Sequence, residues 1–169
     1  QLSKEVGLKG IKLDKPLAFL LNPPYKTTDE GEERRAAVDA AYEGHPSIIA
    51  LTGDDAGKER YLAFLAQILN ISKEQVRLFP DLRPMVMIFT PTSWLIPRTT
   101  YKPFRAKWDQ SFRFHGGFMV TSNEWFKLKG EWPLAFTIWV YDPTEEKRTN
   151  NVRILDLTHL IKKELNIVW

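Results

Sequence analysis

Leu17 to Gly31 reads "LAFLLNPPYKTTDEG", and the fold turns on this stretch. A short run of consecutive apolar residues, "KPLAFLL" from Lys15 to Leu21, stops at an amide, two prolines and an aromatic ring. Apolar side chains at successive positions predict a strand buried on both faces, as in parallel sheets flanked by helices. Pro23 and Pro24 end it, because neither carries a backbone N–H for a ladder.

Downstream, Asp29 and Glu32 are spaced as a capping box, predicting a helix to about Glu43 that Gly44 and Pro46 terminate. "SIIALT" (Ser47 to Thr52) fits either a brief strand or a helical turn. In "GKERYLAFLAQILN", Tyr61, Leu62, Leu65, Ile68 and Leu69 recur at helical spacing, and Asn70 suits a C-terminal cap. Ser72 and Gln75 then offer a second capping box for a separate helix over Lys73 to Phe79. "PMVMIFTPTSWL" predicts a second buried strand stopped at Thr90-Pro91, followed by a helix from about Tyr101 to Trp108.

"FRFHGGFMVTSNEWF" and "WPLAFTIWVYD" are β-rich runs on either side of the Lys129-Gly130 turn, predicting an antiparallel pair. Gly116-Gly117 allows a bulge or a close backbone approach within it. "DPTEEKRTNN" is a polar linker; "VRILDL" and a helix from Thr158 close the chain. The order strand, helices, strand, helix, strand pair predicts a three-layer α/β sheet whose first strands are parallel. In such sheets ligands lie beyond the carboxyl ends of the strands. Asn22 to Tyr25 fall at one such end, and Thr90-Pro91-Thr92 at the next.

The 169 residues suit one domain with a sizeable core, and 43% hydrophobic and 27% charged content is ordinary for a globular chain. The apolar runs are too short for a bilayer, and no charged-then-apolar leader is present. With no cysteine there are no disulfides or thiolate metal sites, a composition compatible with the cytoplasm. The start at Gln1 reads as a piece cut from something longer or as a processing boundary. The net charge of +3 is small, but Trp94 to Gly130 carries Arg98, Lys102, Arg105, Lys107, Arg113, Lys127 and Lys129 against Asp109 and Glu124. That stretch suits either phosphate contacts or a solvated helix face and hairpin.

Asn22-Pro23-Pro24-Tyr25 resembles the signature of the amino-methyltransferases that use S-adenosylmethionine, Asp/Asn/Ser-Pro-Pro-aromatic after a strand. An exocyclic amine delocalises its lone pair into the base and is a poor nucleophile. Two acceptors aimed at its hydrogens favour a more tetrahedral nitrogen and fix it for in-line attack. The resemblance makes the Asn22 side-chain oxygen and the Pro23 carbonyl those acceptors, with Pro24 stiffening the backbone and Tyr25 stacking on the base. "MVMIFTPTSWL" is similar to that family's next strand, entering Pro-Thr/Ser-Ser-X-Leu. "GGFMVTSNEWFKLKGEWPLAFTIWVYD" is similar to the later strand pair of DNA adenine methyltransferases, where an aromatic residue lines the other side of the base pocket. Phe126 is the candidate, with Trp125 as its rival.

The resemblance covers Lys15 to Asp142. It implies the second half of a Rossmann-like methyltransferase sheet: the strand ending in Asn-Pro-Pro-Tyr, a second parallel strand and a terminal antiparallel pair. Residues 1–143 are then a partial catalytic domain, and 144–169 a linker and the start of a following segment. The family holds its cofactor mainly by an earlier Phe-X-Gly-X-Gly loop and an acidic residue after the next strand. No Gly-X-Gly occurs in this sequence. The expectation is a fragment of a cytoplasmic restriction-modification enzyme, or a chain needing a complementing piece, that methylates a flipped adenine in DNA. RNA adenine, a protein glutamine amide and a non-catalytic module are the alternatives. Phosphate contacts would come from Arg98, Lys102, Arg105, Lys127 and Lys129. The edge of the first strand would otherwise invite self-association.

Other motifs carry less. "GDDAGK" (Gly53 to Lys58) mimics a phosphate loop, but Glu59 stands where Ser or Thr must hold magnesium. His45, His115 and His159 lack metal-ligand spacing.

Overall fold

The computed structural model describes residues 13–23, 46–57, 59–126, 130–158 and 163–167. The apolar run forms β1 (Ala18–Leu21), followed by α1 (Pro46–Thr52), α2 (Asp54–Gly57) and the long α3 (Arg60–Leu78). β2 (Met85–Pro91) leads through 3-10 turns at Thr92–Trp94 and Thr99–Tyr101 into α4 (Lys102–Ser111). β3 (Phe112–Thr121), α5 (Ser122–Phe126), β4 (Pro133–Tyr141), β5 (Val152–Asp156) and β6 (Lys163–Ile167) complete the described elements.

Among the described residues the six strands make one sheet in the order β1-β2-β4-β3-β5-β6. β1 runs parallel to β2, from Ala18 beside Met85 to Leu21 beside Ile88. β4 lies between β2 and β3, antiparallel to both. β5 is parallel to β3, and β6 is antiparallel to β5. The parallel β1–β2 pair needs a long crossover, which contains α3. One face of the sheet supplies Val86, Ile88, Ala135 and Trp139 to a core completed by Tyr61, Leu62, Leu65, Leu69, Phe104 and Trp108 of α3 and α4. The other face carries Leu20, Met85, Met87, Phe89, Phe118, Phe136 and Ile138 and stays half open, with Leu20 73% exposed.

The expected strand pair is present, with both devices its glycines allowed. The β3–β4 register shifts between Phe114 and Gly116. At Gly117 a Cβ would sit 2.3 Å from the Phe136 carbonyl oxygen, a backbone atom that cannot swing aside, so the two strands close only over glycine.

Several expectations give way. β1 is not buried on both faces: it is an edge strand among the described residues, and exposure alternates along it. "SIIALT" is helical, with Pro46 at the helix start, where its missing N–H costs nothing. The two helices expected over Tyr61 to Phe79 are one. Ile71, Ser72 and Gln75 continue the buried stripe of α3, so the Ser72–Gln75 spacing is interior rather than a cap. Gln75 spends its amide elsewhere: Nε2 donates to the Leu13 and Lys15 carbonyls (2.9 and 2.7 Å) and Oε1 accepts from Leu17 N–H (3.2 Å). The run "TSNEWF" leaves the sheet at Thr121 and turns into α5. In place of a helix from Thr158, residues 163–167 pair along the outer edge of β5, satisfying backbone groups that edge would leave open. The segment after Asp142 therefore continues the sheet. The helix expected over Asp29 to Glu43 lies outside the described residues.

Candidate active site

The site forms where β1 and β2 end. Leu21 pairs with Ile88 as the last pair of the two strands, and Asn22, the first residue after β1, and Phe89 each directly follow it at the carboxyl edge. Asn22 is exposed and Pro23 buried. Pro24 and Tyr25 lie outside the described residues.

Phe89 is the hub of an aromatic floor. Its ring packs against Phe136 of β4 (centroids 4.9 Å) and edge to face against Phe118 of β3 (5.8 Å). Phe118 stacks on Phe136 at 5.2 Å. The floor follows from the register, which sets Phe89, Phe136 and Phe118 opposite one another across three strands. Phe126 closes it from α5, edge to face on Phe89 at 5.1 Å. Of the two rivals for this position, Phe126 is the packed residue, while Trp125 stands 52% exposed. Sequence reasoning missed Phe89 because its partners are not its neighbours in the chain; only the strand register assembles them.

The segment after β2 is pinned from below. Trp94 is fully buried and donates from Nε1 to the Thr90 hydroxyl (2.8 Å). Ser93 hydrogen-bonds the Tyr61 hydroxyl (3.1 Å), and Tyr101 donates to Glu59 (3.4 Å). Burial drives the Tyr61 phenol well above its ordinary value, so it stays protonated.

The described basic residues do not gather in one place. Arg98 and Lys102 are exposed on the connection that follows β2. Arg105, expected at a phosphate, is 1% exposed. Its Nε donates to Asp109 (2.9 Å), and its guanidinium lies over the Trp94 and Trp139 rings at 5.5 and 5.3 Å. Four residues separate Arg105 from Asp109 on α4, so both point inward on one helical face. Arg113 pairs with Asp142 (2.8 Å) at the other end of the sheet, bordering an open polar cleft of about 570 Å³ that Arg148 and Glu146 also line. Lys127 and Lys129 lie outside the described residues. Among the described residues no cluster could hold a metal ion, and no helix is long and apolar enough to cross a membrane.

A scan against protein-family models finds no match, and neither does a search of curated proteins. Solved structures do match in fold. The methyltransferase subunit of a type I restriction-modification system from Streptococcus thermophilus superposes with a TM-score of 0.51 at 13% identity, over 95% of this chain and 30% of that one. The DrdV–DNA complex gives 0.53 at 12% identity, over 83% and 14%. The ATP-dependent type ISP restriction-modification enzyme LlaBIII, bound to DNA, gives 0.51 at 10% identity, over 83% and 10%. The chain thus has the methyltransferase-like α/β fold found in restriction-modification enzymes. It spans about a tenth to a third of the length of these neighbours.

Proposed function

We propose that this chain is the substrate-facing part of a restriction-modification DNA methyltransferase that methylates the exocyclic amine of a flipped adenine. The observation that carries the reading is that Asn22 and Phe89 each directly follow the Leu21–Ile88 pair, with Phe126 packed on the Phe89 ring. Acceptors for an amine and an apolar wall for a base thereby share one strand end.

Asn22 Oδ1 and the Pro23 carbonyl accept the two amine hydrogens, localising the lone pair on nitrogen and holding it in line for transfer. Tyr25 and Phe126 face the base, offsetting the few kcal/mol spent in extracting it from the stack. S-adenosylmethionine supplies the methyl group. Without a Gly-X-Gly in the sequence, the residues of this chain do not form its main cradle. A complementing segment provides that cradle, adding to the edge of β1 and covering the half-open apolar face of the sheet. Arg98 and Lys102, exposed beyond β2, are phosphate contacts among the described residues, and Lys127 and Lys129 are the further candidates.

The missing glycine loop also favours a second reading, a methyltransferase-like module that binds without catalysing. Asn22→Ala in the complemented enzyme separates the two. Transfer of radiolabelled methyl groups to adenine in DNA should fall about 100-fold or more, as when a preorganised polar partner is removed, with DNA binding little changed. Unchanged turnover would refute the role of Asn22. The absence of any methyl transfer by the complemented wild type would favour the binding module.

A further inference from the structure

We propose that Trp132 is a stacking platform for a DNA base left unstacked beside the one taken into the site, an inference that deepens the methyltransferase reading and rests on its substrate. The two ends of the connection between β3 and β4 are tied to each other. Ser122 N–H donates to the Trp132 carbonyl (3.0 Å), Trp132 N–H donates to Ser122 Oγ (3.2 Å), and that hydroxyl donates to the Gly130 carbonyl (3.0 Å). Asn123 Nδ2 adds a bond to Glu131 Oε1 (3.2 Å).

On this clamp the Trp132 ring lies directly against the backbone of Gly130. Gly130 has φ +99°, and a Cβ there would fall 2.3 Å from Cζ3 and 2.9 Å from Cε3 and Cη2 of the indole. Only glycine allows both the backbone turn and the ring's seat. Trp132 nevertheless remains 47% exposed and meets no other ring among the described residues. A large aromatic surface is thus oriented from one side and left open on the other.

Its position selects the occupant. Trp132 directly precedes β4, whose Leu134 pairs with Pro91 at the end of β2, so it stands at the same sheet edge as Asn22. The connection that carries it also carries Phe126. Asn123, Glu124 and Glu131 are exposed in the same connection, a polar setting that suits one flat ring rather than an extended apolar partner. Extracting a base leaves its neighbours with an uncovered π-face, which an exposed indole can cover whatever the base.

The test is fluorescence anisotropy of a labelled single strand of about 12 nucleotides, alongside the same backbone carrying abasic sugars. Trp132→Ala should weaken binding of the base-bearing strand about 5-fold or more, the lower end of a base–aromatic stack. Trp132→Phe should restore most of it. Gly130→Ala, with circular dichroism unchanged, should mimic Trp132→Ala although the indole remains. The abasic strand should bind wild type and Trp132→Ala alike. Equal affinity of Trp132→Ala and wild type for bases, or no binding by the chain, overturns the platform. Methyl transfer by the complemented enzyme reads the other question. Transfer with no Trp132 effect on KM for DNA sinks the platform alone; Trp132-dependent base binding without transfer sinks the methyltransferase reading alone.

Discussion

Phe126 meets Phe89 edge to face, with ring centroids 5.1 Å apart and planes at 78°. The contact ties α5, which follows β3, to the end of β2 on the far side of β4. One aromatic pair therefore bridges three neighbouring strands at the end where the candidate site lies.

Removing that ring should open the site without unfolding the sheet. Phe126→Ala is expected to weaken the hold on an extruded base, read as a reduced 2-aminopurine response at the target position in the complemented enzyme. Trp125→Ala, which removes an exposed side chain, should leave the response near wild type. The reverse ranking would assign the wall to Trp125.

Arg105 and Asp109 form a buried ion pair roofed by two indoles, and Asp109 Oδ1 also accepts from Asn150 Nδ2 (2.7 Å). Arg105→Ala leaves a carboxylate in the core and a gap between Trp94 and Trp139. The expected loss is about 3 kcal/mol or more in urea unfolding. The double change Arg105→Met with Asp109→Asn keeps the volume and the acceptor for Asn150, and should cost less than the single one.

Burial raises the Tyr61 pKa above its ordinary value of 10.0. The native phenol then keeps its proton at a pH where the unfolded chain releases it. This contribution is complete below about pH 10 and is lost progressively as pH rises above that. Burial raises Tyr141 in the same direction. Tyr61→Phe should therefore flatten, without abolishing, the fall in melting temperature between roughly pH 10 and 11.

β1 presents an unpaired edge among the described residues, with Leu20 at 73% exposure beside half-open Met87. The isolated chain should self-associate in light scattering, and Leu20→Lys should reduce the association, since an edge lysine opposes strand addition. A monomer at all concentrations in the unmodified chain would contradict this.

How much was legible follows from where each signal resides. Parallel β1 and β2 could be read because local apolar runs and proline stops mark them. Gly116-Gly117 could be read as allowing a bulge or a close approach for the same reason, since backbone sterics are local, and the structure has both. The two-helix reading of α3 failed because Ser72 and Gln75 look alike in a cap and in a helix interior. Only the carbonyls of Leu13 and Lys15, distant in sequence, show what Gln75 does. Arg105 misled because charge alone does not reveal that Trp94, Trp139 and Asp109 converge on it. Asn22 was visible as a motif, whereas Phe89 became visible only through its pairing with Phe136.

Gln75 grips the backbone at Leu13, Lys15 and Leu17 from a helix behind the sheet. The register of β1, and with it the reach of the Asn22 amide, is thus fixed from the strand's amino end. A substitution at Gln75, well outside the candidate site in sequence, should therefore let β1 slip and disturb Asn22 without touching it.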